Sequence, residues 1–329
     1  MICLGIESTA HTFGVGIVSS DGTILANEKK VFVPLQGGIH PREAAESHAK
    51  DAYSVILQAL KKSNLQMSNI NVIAFSQSPG LGPCLRIGAI ISRYLSKQLD
   101  IPLYGVNHCI AHVEIGRLLF NLKLADVLTL YVSGGNTLVC AYDQGRYRVF
   151  GETLDISIGN LLDVFARAAG LSHPGGPKIE KLAKNGQNLI DLPYTVKGMD
   201  LSYSGLLTAS INKFKEGIRL EDMCFSLQEI AFSMLTEVTE RALAHTEKKF
   251  VLLTGGVAAN KKLEQMIRLI SEEHNAVFNA VPQHLAADNG VMIAWTGLLH
   301  ARKEKPLSIK ESIVKPNLRI DEIIVTWDD

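Results

Sequence analysis

Asn107-His108-Cys109-Ile110-Ala111-His112 sets two histidines four residues apart near the start of a helical stretch. That separation is about one helical turn, so both imidazoles leave the same face and point toward a shared position. This is metal-ligand spacing. Zinc proteases of the H-E-x-x-H type share it, but the glutamate that serves them as general base is Cys109 here. Two helical histidines can also be core or capping residues, so the pair by itself leaves both roles open. A third ligand is needed, and Asp288, in Ala287-Asp288-Asn289-Gly290 ahead of an apolar helix, is a candidate. The same position equally suits a helix N-cap.

Glycine-bearing strand ends form the second group. Tyr131-Val132-Ser133-Gly134-Gly135-Asn136-Thr137 runs from a strand into a glycine pair, where missing side chains let backbone N–H groups approach an anion. A plain hairpin turn explains these glycines too. Leu253-Thr254-Gly255-Gly256-Val257-Ala258-Ala259-Asn260 repeats the pattern and opens into a helix, and two such junctions point to one nucleotide between them. Neither matches a P-loop or a G-x-G-x-x-G fingerprint. Pro174-Gly175-Gly176-Pro177-Lys178-Ile179-Glu180 places a rigid turn before a helix carrying Glu180, with Asp163 upstream. Such carboxylates can accept ribose hydroxyls, or can simply be solvated helix residues.

The elements that must position these residues follow from periodicity. Strands at Ile2 to Ile6, Thr12 to Val18 and about Thr23 to Ala26, with a turn at Asp21-Gly22, form a meander. Val127 to Val132, Thr137 to Tyr142 and Arg146 to Phe150, turning at Gln144-Gly145, form it again, so a duplication is the economical reading. The first meander leads into a helix at Pro41 to Lys62, a strand at Val72 to Ser76, a helix at Arg86 to Leu99 and a strand at Leu103 to Val106. After the second come helices near Asn160 to Ala169, Pro177 to Lys184 and Asp222 to Lys248. A strand at Phe250 to Leu253, a helix from Lys261, a strand at Ala276 to Val281 and a helix from Asp288 complete it. The expected fold is α/β with mixed sheets covered on both faces, in two lobes whose facing surfaces leave a ligand cleft. The lobes are placed at 1–124, rejoined by 286–329, and at 125–285. Duplicated βββαβαβα units of this kind resemble the actin, Hsp70 and sugar-kinase (ASKHA) superfamily.

At 329 residues the chain exceeds what one core usually organises. Lys plus Arg and Asp plus Glu balance at 33 each, so no whole-molecule field steers a polyanion onto the surface. The five cysteines contain no C-x-x-C pair, which disfavours a disulfide framework or zinc knuckle and fits a reducing cytosol. No apolar run approaches the roughly 20 residues that span a bilayer, and no basic region precedes an apolar segment at the start, so a cytoplasmic protein without membrane partners is expected. The last 25 or so residues, through Trp327-Asp328-Asp329, read as an extended tail.

Taken in order, these segments resemble one family: the universal tRNA N6-threonylcarbamoyladenosine synthases, once described as O-sialoglycoprotein endopeptidases. The resemblance covers nearly the entire chain. It rests on Gly5 to Thr12, Gly37-Gly38-Ile39-His40-Pro41-Arg42-Glu43-Ala44-Ala45, Ser78 to Pro83, Val106 to His112, Tyr131 to Thr137, the turn through Glu180, Gly255 to Asn260, and Asp288-Asn289-Gly290. The form at Ile39 to Ala45 and Lys197 to Ser202 resembles the archaeal and eukaryotic branch. The resemblance implies one iron or zinc ion on His108, His112 and Asp288, with Tyr131 as a further ligand. It implies an adenine nucleotide, threonylcarbamoyl-adenylate or ATP or ADP in its place, with magnesium as an optional companion. The nucleotide would be held by Tyr131, Val132, Ser133, Gly134, Gly135, Asp163, Gly176, Glu180 and Asn260. The implied reaction is transfer of the threonylcarbamoyl group to N6 of the adenosine next to the anticodon. Implied partners are tRNA and the kinase-like and small accessory subunits of the KEOPS complex, the kinase being a separate chain. Departures are Ser8, where archaeal relatives commonly have glycine, and His284-Leu285-Ala286-Ala287, where they have a more polar run. Three rivals stand beside this reading. An actin-like kinase or ATPase would normally carry an aspartate where this chain has Glu7-Ser8-Thr9; a metalloprotease lacks its base; a nucleotide-dependent scaffold would modify nothing.

Overall fold

Near-continuous runs of apolar and small residues in Ile2–Glu7 and Thr12–Ser19 bury both faces of these strands, so the first sheet is covered on both sides. The structure, a computed structural model, describes residues 1–34 and 38–327. Gly37 of the glycine-histidine-proline motif and the closing Asp328 and Asp329 lie outside the described residues. The chain divides into two compact units. One comprises Met1–Asn121, Gln144–Tyr147 and Asp288–Asp329; the other comprises Leu122–Asp143 and Arg148–Ala287.

The first unit contains β1 (Ile2–Glu7), β2 (Thr12–Ser19), β3 (Ile24–Val31), α1 (Pro41–Ser63), β4 (Val72–Ser78), α2 (Gly82–Leu99), β5 (Leu103–Asn107) and α3 (His108–Phe120). Its sheet order is β3-β2-β1-β4-β5, with the meander antiparallel and β4 and β5 parallel to β1. The second unit begins with β6 (Val127–Val132), β7 (Thr137–Asp143), β8 (Arg146–Glu152), α4 (Ile158–Ala168) and α5 (Gly176–Ala183). A two-residue hairpin, β9 (Val196–Lys197) and β10 (Asp200–Leu201), precedes α6 (Ser204–Lys215) and α7 (Leu220–Thr246). Then come β11 (Phe250–Thr254), α8 (Lys261–Glu273), β12 (Val277–Ala280) and α9 (Gln283–Ala286); α10 (Gly290–Lys303) returns to the first unit. The second sheet has the order β8-β7-β6-β11-β12. Strand for strand this is the arrangement of the first sheet, so the duplication holds at the level of topology.

Several boundaries move. The third strand runs on to Val31 rather than stopping at Ala26, because β2 pairs with it as far as Thr12 opposite Val31. Helix α2 starts at Gly82, four residues before the expected Arg86, with Pro83 in its first turn where no donor is required. The sequence reading missed α6. The Asp155 carboxylate accepts hydrogen bonds from the backbone N–H groups of Tyr203 and Ser204 (2.8 and 3.0 Å) and so satisfies the start of that helix from a distant segment.

One face of the first sheet packs Leu4, Ile6, Val15 and Ile17 against Val55, Ile56 and Ala59 of α1. The opposite face receives α10. There Gly5, Gly16 and Gly290 bring backbone against backbone: a Cβ on Gly5 would lie 2.2 Å from the Ala294 nitrogen, and one on Gly16 2.2 Å from that of Val291. The start of α10 is thereby held against β2. The second unit has its own core, in which α7 buries Leu227, Phe232, Leu235 and Val238 against Leu130, Phe165 and Leu253.

Candidate metal centre and nucleotide loops

Strand β5 ends at Asn107, whose side chain accepts from the backbone N–H groups of Cys109 and Ile110 (3.0 and 3.2 Å) and starts α3. His108 is the first residue of that helix and His112 lies one turn on. The start of α10 supplies the third group, Asp288. The two Nε2 atoms lie 3.2 Å apart, and Asp288 Oδ1 lies 3.5 Å from His108 Nε2 and 3.4 Å from His112 Nε2. Among the described residues this is the one group of three or more His, Cys, Asp or Glu side chains so placed. Ligands each about 2.1 Å from one ion, at tetrahedral to octahedral angles, stand roughly 3.0–3.5 Å apart. The spacing of two imidazole nitrogens and a carboxylate oxygen thus fits a single iron or zinc ion, and that donor set suits both.

Sequence alone left Asp288 open as a helix cap. In the structure Asn289 does that work, its side chain accepting from Met292 N–H at 3.0 Å, and Asp288 turns toward the histidines. The Lys29 ammonium, partly desolvated, donates to the Asp288 carbonyl oxygen at 3.1 Å and fixes the backbone there.

Burial opposes a charge on His108, but the carboxylates of Glu7 and Asp288 overcome it and raise its pKa to about 9. Burial pulls the His112 pKa down, against its hydrogen bond to Asp288. Burial also disfavours the Asp288 carboxylate, yet the two histidines hold its pKa below the usual carboxylate range. Cys109 is buried, and burial pushes its thiol up to about 12. It has neither the exposure nor the acidity to replace a protease's general base.

The other candidates lie in the second unit and are described within it. Tyr131 is buried near the end of β6, and Thr254 of β11 pairs beside it. The turn after β6 leaves Gly134 and Gly135 exposed with open space around each, although the Ser133 hydroxyl accepts from the N–H groups of Gly135 and Asn136. Gly255 has a φ of 98°, and a Cβ there would meet the Val132 carbonyl oxygen at 2.2 Å, so packing against β6 demands this glycine. Asp163 accepts from Gly175 N–H at 2.7 Å and fixes the turn ahead of Gly176 and α5. Glu180 accepts from Lys261 N–H at 2.9 Å, and Asn260 caps the same helix α8. The structure thus gives Asp163, Glu180 and Asn260 local structural bonds, while the glycine turns occupy the carboxyl ends of β6 and β11, where open α/β sheets bind ligands.

A family profile described as tRNA N6-adenosine threonylcarbamoyltransferase (TsaD) matches residues 23–295. The chain belongs to this family. A protein of that name from Thermococcus sibiricus is 54% identical over 99% of this chain and 100% of its own length. Another, from Archaeoglobus fulgidus, is 52% identical over 100% of both. A Methanocaldococcus jannaschii protein named a probable bifunctional tRNA threonylcarbamoyladenosine biosynthesis protein is 54% identical over 99% of this chain, and the chain spans 60% of that relative's length. Among solved structures, Thermococcus kodakarensis HypF matches with a TM-score of 0.63 over 90% of this chain and 47% of its own, at 15% identity. The Clostridium difficile activator of 2-hydroxyisocaproyl-CoA dehydratase matches at 0.55 over 92% and 96%, at 13% identity. These remote likenesses bear out the actin-like α/β fold class. No helix among the described residues is long and apolar enough to cross a membrane.

Proposed function

We propose that this chain transfers the threonylcarbamoyl group of threonylcarbamoyl-adenylate to N6 of the adenosine next to the anticodon, in tRNAs reading codons that start with A, and releases AMP. The observation that carries this reading is the convergence of His108, His112 and Asp288 on one point in a chain of the threonylcarbamoyltransferase family. The electrophile is a mixed carbamic-phosphoric anhydride. The N6 lone pair forms the new C–N bond, the carbamoyl carbon loses its bond to phosphate, AMP departs with the electron pair, and N6 gives up a proton. The barrier is charge developing on the carbamoyl oxygen. An iron or zinc ion held by His108, His112 and Asp288 would supply Lewis acidity and a template for the acyl oxygens.

The chain's own residues position the reactants. Asn107 caps the helix that carries His108 and His112, and Asn289 caps the helix that Asp288 leads into, so both caps fix the backbone beside the ligands. In the second unit, the exposed Gly134-Gly135 backbone is the candidate contact for the adenylate phosphate. Val132, Ser133, Gly176 and Asn260 are the further candidate nucleotide contacts, Asp163 and Glu180 are the candidate ribose acceptors, and Tyr131 is the candidate fourth metal ligand. tRNA is the acceptor substrate. A kinase-like subunit and small accessory subunits, as in KEOPS, are the expected partners, and the cytoplasm is the expected location.

The test is nucleoside mass spectrometry of tRNA incubated with threonine, bicarbonate, ATP, a threonylcarbamoyl-adenylate synthase, the accessory subunits and this protein. Threonylcarbamoyladenosine should appear only when this protein is present. Adenosine left unmodified in the complete mixture would defeat the reading.

A further inference from the structure

Glu7 belongs to the Glu7-Ser8-Thr9 segment at which the sequence departs from the kinase pattern, and the proposed reaction assigns it no part. Alternation along β1 puts Cys3, Gly5 and Glu7 on the face that receives α10, opposite Leu4 and Ile6. Gly5 there meets Ala294 of α10, and Glu7, two residues on, meets α3. The Glu7 side chain is fully buried. Its Oε2 lies 2.9 Å from His108 Nδ1, and its Oε1 accepts from both the backbone N–H (2.7 Å) and the hydroxyl of Thr9. Thr9 therefore fixes the carboxyl group, and the carboxyl group faces the ring nitrogen of His108 that points away from Asp288.

We propose that Glu7 is a positioning residue for the metal centre: by accepting a hydrogen bond from His108 Nδ1–H it leaves the Nε2 lone pair aimed at the ion. The inference rests on the metal reading of the triad. A carboxylate can only accept, so one ring tautomer satisfies it, and the ring cannot flip without stranding a buried acceptor. Partners of this kind behind a ligating histidine orient the ring and make it a stronger donor, and losing one typically weakens metal binding 10- to 100-fold. Glu7→Gln makes the chemistry explicit. Its carbonyl would stay with Thr9 and its amide would turn an N–H toward His108 Nδ1, selecting the tautomer that carries the proton on Nε2.

The experiment compares wild-type, Glu7→Gln and Glu7→Asp protein. It measures Zn²⁺ and Co²⁺ affinity by competition with a chromophoric chelator, the visible spectrum of the Co²⁺ form, and the melting temperature in EDTA. Wild-type protein should bind both ions. Glu7→Gln should bind them 10- to 100-fold more weakly with displaced Co²⁺ bands, while melting in EDTA close to wild type; a purely structural role for Glu7 would move only the melting temperature. Glu7→Asp keeps the charge but withdraws it from Nδ1, and the same loss of affinity is expected, which decides the matter if the glutamine variant does not fold. Wild-type affinity and spectrum in the variants that fold would overturn the role of Glu7 alone. Wild-type protein that binds neither ion would overturn the metal reading and this inference with it.

Discussion

His112 is fully buried one turn into α3, and its ring is held edge-on to that of His108 with centroids 4.6 Å apart. A histidine in that position is either a ligand or a core residue, and truncation separates the two. His112→Ala should lose bound iron or zinc, measured by elemental analysis after purification. It should cost about 2–3 kcal/mol of stability in the metal-free state, from the cavity left behind. A metal-free variant that retained full transfer activity would sink the proposed role. The pair was legible in the sequence because four-residue spacing on a helix has few consequences other than a shared face. Asp288 was not. An aspartate before a helix suits a cap, and only the cap made by Asn289 shows that Asp288 is released from that task.

At the scale of elements, the site depends on how closely α10 approaches the first sheet. Gly5, Gly16 and Gly290 carry that approach, with backbone atoms where any Cβ would stand. No flexible side chain can yield there, so Gly16→Ala should destabilise the chain by about 1–3 kcal/mol. It should also weaken metal binding, because the displaced helix start carries Asp288. Gly134→Ala is the contrasting case. Open space surrounds that position, and the change in stability should stay within about 0.5 kcal/mol. Thermal melts of both variants, with metal titration of the first, check the pair. The sequence showed Gly5, Gly134 and Gly290 as motif positions and Gly16 only within a strand, but not which were needed for packing and which for ligand access. That division depends on what lies across from each residue, and the residues across are distant in the chain.

At the scale of the whole molecule, the tail, which the sequence shows as extended but without a function, proves to be packed onto the first unit. Leu307 and Lys315 extend backbone hydrogen bonds to Leu103 and Gln77, and Asn107, which caps α3, donates to the carbonyl of Leu318. The tail ends its described course with Trp327 buried and its indole N–H on Glu114 of α3 at 3.1 Å. Glu114 also accepts from Arg117 (2.6 Å) and from the Tyr147 hydroxyl (2.5 Å), so a buried carboxylate is shared by α3, the start of β8 and the tail. Trp327→Ala should therefore cost about 3–5 kcal/mol and lower the melting temperature of the first unit. Trp327→Phe should recover most of that loss, since the ring packing returns and only one hydrogen bond is forfeited. Calorimetry of both variants tests this.

By itself the sequence determined the duplicated meander, the α/β class and the histidine pair, because periods of 2 and 3.6 and the spacing within one helix are properties of neighbouring residues. It also carried the family resemblance, which full-length relatives support. Only the tertiary structure decided that Asp288 rather than a capping group faces His108 and His112, that Glu7 stands behind His108, and that Trp327 closes on Glu114. Each of these joins residues about 100 or more positions apart. Their meeting depends on glycine-mediated backbone contact and on strand order, which no local pattern encodes.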